Sequence, residues 1–263
     1  MKLKLLTTLI FIAATAAAHD LYLQAAPFFL TEPGSVNLSM YLAASFPGEE
    51  QKWRADKTAA FQVLRPQDSQ KAASIESTNP KVTLSSEGTY VIGWSSTPSH
   101  ITIEPKELEQ YVTAEGYKNV LEARKAAGTS NAKASEKYTR NLKIFVQVGD
   151  TLTSNAGIPL GTKIEIVPKQ NPYALKVGDE LTVQVLFDGK PLQDVRVMGT
   201  YDTFSKEHDV YAQTAQTDSN GIARIKIAKP GIWLIRANHM LPASGDSKAE
   251  WESFWANCSF HVR

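Results

Sequence analysis

The chain has 263 residues, 43% hydrophobic and 21% charged, ordinary values for a globular protein of one large domain or two small ones. Its 28 basic and 27 acidic residues nearly cancel, which removes the electrostatic case for binding nucleic acid or an anionic membrane surface. The single cysteine, Cys258, excludes an internal disulfide, so the fold must rest on its core alone.

The chain opens with a basic start, Met1-Lys2-Leu3-Lys4, then an apolar run from Leu5 to about Ala14, then Ala16-Ala17-Ala18. That succession predicts a secretory signal peptide over residues 1–18, too short in its apolar part to span a membrane. Cleavage after Ala18 is expected, with Ala16 and Ala17 as competing positions, and would open the mature chain at His19-Asp20. The signal holds no cysteine for lipid attachment, and no later stretch reaches 18 uninterrupted apolar residues. The expected product is an exported protein without a membrane anchor, periplasmic in a Gram-negative source.

Beyond the signal, "SVNLSMYLAA" (35–44), "KVTLSS" (81–86) and "TYVIGWSS" (89–96) alternate with period two and read as strands. From Pro105 to Gly128, Leu108, Tyr111, Val112, Val120 and Leu121 fall at helical spacings. Gly116 should divide this stretch into two helices and Gly128 should end the second. A third short helix is expected in "AKASEKYTRN", before a strand at 142–149. The Gly, Pro and Asn content of residues 151–172 then predicts a connector, interrupted by the short strand "KIEIV". Strands return at 180–187, 195–201, 222–228, 232–239 and 257–263, with the turn spacing of an antiparallel sandwich. Asp188-Gly189 should make a tight turn. Asn220-Gly221 should make a hairpin with both residues at positive φ, capped by the Asp218 side chain.

The expected architecture is mainly β: two β-sandwich domains of immunoglobulin-like or transthyretin-like type. The first would cover 19–150, with a small helical insertion at about 104–141, and the second 173–263. "GKPLQDV" and "TDSNGIA" together resemble transthyretin-like and carboxypeptidase-regulatory modules, a likeness that speaks to fold and not to activity.

The chain contains no HExxH, no GxSxG and no glycine-rich phosphate loop, so no catalytic residue and no enzyme activity is expected. Cys258, in an alternating strand, reads as a small core residue. Of the five histidines, His19 stands apart. A freed terminal amine, of pKa about 8, and the imidazole of the same residue can close one chelate ring around Cu, Ni or Co. His239 ends the apolar run "GIWLIRANH" beside a long expected loop, a place where sites are built. In that loop "EWESFW" offers Glu252 to orient a metal-bound imidazole, while Trp251 and Trp255 anchor the loop to the sandwich edge. His100 reads as a surface residue, His208 as solvated at a hairpin tip, and His261 as a face residue of the last strand.

Several phrases occur in order: "HDLYL", "FPGEE", "SHITIEPKELEQYVTAEG", "NPYALKVGDELTVQVLFDGKPL", "QTDSNGIARIKIAKPGIWLIRANHM" and "EWESFWANCSFHV". Over essentially the whole mature chain this resembles a bacterial family of unknown function, often labelled as periplasmic components of ABC-type cobalt or nickel transport systems. The resemblance implies export, two β-rich domains and a divalent-metal role. The family's usual His-Asp start and its histidine closing the long C-terminal strand correspond to His19-Asp20 and His239. His100 stands where relatives often have an aromatic residue.

The expected function is therefore capture of Ni, Co or Cu in the periplasm for a membrane metal transporter or a metalloenzyme. His19 would supply amine and imidazole, His239 a further imidazole, and Asp20 or Glu252 would complete or orient the shell. Binding should weaken below about pH 6, where protons compete for imidazole. Two alternatives stand beside it: a binding or adhesion module using "EWESFW" as an aromatic patch, and a copper oxidase built on the N-terminal histidine. The metal site requires His19 and His239 to lie within reach of one ion.

Overall fold

A computed structural model describes residues 19–68, 73–74 and 80–263. The expected signal peptide lies outside the described residues. The protein is mainly β, built from sandwich-like sheets with two α-helices among the described residues. The alternating segments form the strands Gly34–Ala43, Lys81–Leu84 and Gly88–Ser96, and the later ones form Glu180–Phe187, Arg196–Tyr201 and Ile222–Lys226.

A ten-stranded sheet is the spine of the molecule. Its central strand, Ala134–Val148, pairs in parallel with the closing strand Trp251–Val262, from Glu136 opposite Trp251 to Ile144 opposite Ser259. On the far side, Gly231–Pro242 runs antiparallel to the closing strand along its whole length. Strands from both sides of the connector therefore share one sheet, and the sheet runs across the expected boundary at 151–172.

A smaller sheet covers each face of this spine. The first contains Asp20–Ala26 and Gly34–Ala43, and Leu23, Val36 and Met40 pack on Leu142, Ile144 and Val146 of the central strand. The second contains Ile164–Pro168, Glu180–Phe187 and Ile222–Lys226. It packs on Phe145 and on Trp233, Ile235 and Phe254 from the other face. Covered on both sides, residues 140–148 are all buried, and the four polar ones among them, Arg140, Asn141, Lys143 and Gln147, each hold a hydrogen-bond partner.

The helices α1 (Pro105–Glu115) and α2 (Lys118–Ala126) are divided by Gly116 at φ 90°. Gly128, at φ 71°, follows the end of α2. Leu108, Tyr111, Val112 and Val120 dock them on Met240, Trp251 and Trp255. No helix among the described residues is long and apolar enough to cross a membrane.

Three local expectations are corrected. The third helix is instead the first half of the central strand, whose period-two pattern was hidden because polar Glu136 takes an inward position. Asn220-Gly221 is not a hairpin: it joins Gln213–Gln216 to Ile222–Lys226, which belong to different sheets, and only Gly221 has a positive φ, 71°. Asp218 nevertheless caps the turn, its Oδ1 accepting the N–H groups of Asn220 at 2.8 Å and Ile222 at 2.9 Å. "WESFW" is strand rather than loop, because Trp251 already pairs with Pro242. The Asp188-Gly189 turn forms as expected, at φ 50° and 73°.

Candidate functional site

Alternation along the strands decides which proposed ligands can meet. In Gly231–Pro242, Trp233, Ile235 and Ala237 face the second small sheet, whereas Leu234 and Met240 face the first sheet and the helices. His239 shares the parity of Trp233, and its ring meets Phe187 of the second sheet edge-on, centroids 4.8 Å apart. Burial lowers its pKa. Glu252 points to that same face, displaced from His239 by two register positions, and pairs with Lys137 Nζ at 2.8 Å. Asp20 lies on the opposite face against Arg236. The structure thus separates His19-Asp20 from His239-Glu252 by the thickness of a sheet, and the expected four-residue shell does not assemble.

Asp20 is also occupied. Its Oδ2 accepts the Tyr211 hydroxyl at 2.8 Å, and its Oδ1 stands 3.0 Å from Arg236 Nε. That second contact is a charge pair and not a directed hydrogen bond, since neither atom has an aligned partner. Arg236 Nη2 donates to Glu115 Oε1 at 2.6 Å and Nη1 to the Tyr211 hydroxyl at 2.9 Å. Burial opposes the Arg236 charge, but Asp20 and Glu115 outweigh it and hold the guanidinium protonated well beyond its ordinary range. Burial raises the Glu115 pKa, and Arg236 opposes that rise.

His19, half-buried, gives its carbonyl to Arg140 Nη1 at 2.9 Å. The partner it does meet is His208, with ring centroids 6.5 Å apart and planes at 73°. His208 is exposed, as expected of a loop tip. Its loop, between Arg196–Tyr201 and Gln213–Gln216, folds back over the end of Gly34–Ala43, where Asp209 N–H donates to the Ala44 carbonyl at 2.8 Å. Burial and the nearby Asp20 charge raise the Asp209 pKa, and His19 opposes that rise. An imidazole bound at about 2.0–2.1 Å carries its ring centre roughly 3 Å from the metal, so two rings on one ion stand up to about 6.5 Å apart. The pair sits at the outer edge of that reach. Among the described residues, no three His, Cys, Asp or Glu side chains converge on one point.

Sequence reasoning missed the charged interior around Trp255. That ring lies between the guanidinium groups of Arg236 at 4.9 Å and Arg140 at 5.3 Å, and stacks on Tyr111 at 5.8 Å. Glu136 is buried below it, accepting from Ser253 Oγ and from the Tyr111 hydroxyl at 3.3 Å, with Oε2 unpartnered. One signal was available: Arg236 is a lone cation inside "GIWLIRANHM", a run that otherwise reads as pure core. A cavity of about 620 Å³ opens beside this cluster, between α1 and the loop carrying Asp209.

His100 bonds Asp246 at 2.8 Å on the surface, and His261 is half-buried near Phe28.

No curated protein matches the chain. Among solved structures it is similar to the D0-D1 domain of intimin, at 14% identity over 92% of this chain and 97% of that one, TM-score 0.20. It is also similar to three N-terminal domains of the bacteriophage RB49 highly immunogenic outer capsid protein, at 8% identity over 93% and 59%, TM-score 0.20. A further likeness, to Clostridium thermocellum CbhA fibronectin(III)-like modules, has 9% identity over 91% and 94%, TM-score 0.19. Likeness at these scores carries no argument. The family model is the informative comparison: residues 16–241 match the domain of unknown function DUF4198, and the chain belongs to that family.

Proposed function

We propose that the protein is exported and binds a divalent transition metal, Ni, Co or Cu, at its mature N-terminus, for uptake or delivery through a membrane metal transporter. The observation that carries this reading is the approach of His208 to His19, 6.5 Å between ring centroids. Cleavage after Ala18 would free the His19 amine, so that amine, His19 imidazole and His208 imidazole supply three nitrogen donors, a set these metals favour. The cobalt/nickel label attached to the resembling family points the same way. His239 and Glu252 have no part in this site, and Asp20 serves to hold the first strand through Arg236. Trp251 and Trp255 are buried at 5% and 1% exposure, so "EWESFW" offers no aromatic patch for the adhesion reading.

The test compares protein beginning at His19 with protein retaining Ala18, each titrated with Ni(II) and Cu(II) by calorimetry after chelator treatment. Retaining Ala18 or substituting His208→Ala should weaken binding at least about tenfold, a loss of one ligand. His239→Ala should leave it unchanged. Equal affinity with and without Ala18 ends this reading.

A further inference from the structure

The cavity of about 620 Å³ has the size of a small-molecule site. Its walls are apolar where Ile103, Met198 and Val210 contribute, and Tyr111 and Tyr211 add aromatic surface. Its charges are not balanced. Three carboxylates line it, Glu107, Glu115 and Asp209, against two guanidinium groups, Arg196 and Arg236. The positive charge of Arg236 is already committed to Asp20 and Glu115, while Arg196 bonds the neutral Ala114 carbonyl at the end of α1 and keeps its charge, one cation against the carboxylates of Glu107 and Asp209. Glu107 and Asp209 form no ion pair among the described residues. Glu115 is 6% exposed, yet only its Oε1 is hydrogen-bonded, leaving the other oxygen free in a residue that lines the cavity.

A desolvated carboxylate with a free oxygen, two further unpaired carboxylates and aromatic walls form the complement of a cation on an apolar body. We infer that this cavity binds an organic ammonium compound, its amine directed at Glu115 with Glu107 and Asp209 around it, and its apolar part between Tyr111 and Met198. An anionic ligand of the same shape would meet more carboxylates than free cations and bind more weakly. This inference stands apart from the metal reading, because it uses neither His19 nor His208.

The probe is tryptamine, with indole-3-propionate as its carboxylate counterpart, titrated into metal-free protein by calorimetry. The inference expects saturable tryptamine binding at least about tenfold tighter than that of the carboxylate. The paired substitution Glu107→Gln and Asp209→Asn, at positions outside the buried core, should weaken tryptamine about fivefold. Ala114→Phe, on the exposed part of α1 that lines the cavity, should abolish binding by filling it. His19→Ala, which removes the metal site, should leave tryptamine binding saturable, which separates this result from failure of the metal reading. No saturable tryptamine binding, equal affinity for indole-3-propionate, or indifference to the paired substitution would each overturn it.

Discussion

Arg236 shows how much one residue can decide here. It is 2% exposed and serves Asp20, Glu115 and Tyr211 at once, so it joins the first strand, α1 and the 202–212 loop. Substituting Arg236→Met would leave two buried carboxylates facing each other without a cation. We expect a loss of about 3–5 kcal/mol in urea unfolding, the cost of breaking a buried pair by removing one partner. Glu136 has the opposite character. Burial pushes its carboxyl up to about 7 from 4.5, despite hydrogen bonds from Ser253 and Tyr111. The folded protein therefore holds a proton that the unfolded chain releases. Stability from this group is fully present below about pH 4.5 and is lost as pH rises through 7, by about 3 kcal/mol in all. Glu136→Gln should flatten that decline, so its urea midpoint should exceed the parent's at pH 8 and match it near pH 4.5. Cys258, 3% exposed, has its thiol pushed up to about 12 by burial, and should resist alkylation until the protein unfolds.

At the scale of elements, local pattern was a good guide wherever one face of a strand met water. Gly34–Ala43 and Glu180–Phe187 alternate because one side is solvated. The central strand misled because its exposed-looking polar residues, Glu136 and Arg140, are inward groups that bond distant partners. The Asn220-Gly221 turn was legible as a turn, but which sheets it joined was not. There the backbone itself imposes a glycine: at φ 71°, an added Cβ would lie 2.6 Å from the Val185 carbonyl oxygen and 3.0 Å from Leu192 N. Gly221→Ala should cost about 1–3 kcal/mol, read as a lower midpoint in thermal unfolding.

For the whole molecule, the parallel pairing of Ala134–Val148 with Trp251–Val262 matters most. It puts strands from both sides of the connector into one hydrogen-bonded ladder, so neither side can melt without breaking the other's sheet. A single calorimetric transition is expected, with equal calorimetric and van't Hoff enthalpies. Two resolved transitions would contradict that expectation.

The sequence by itself determined the β class, most strand positions and the helix pair broken at Gly116. These depend on periodicity and on the chemistry of single residues, which are local properties. Only the tertiary structure decided which histidine His19 meets. Strand parity sends His239 through the sheet to the far face, and a loop that looked solvated folds back to bring His208 to the near one. The charged interior around Trp255 was equally a tertiary matter: each of its groups looks out of place locally, and partners distant in the chain, several of them more than a hundred residues away, make their burial tolerable.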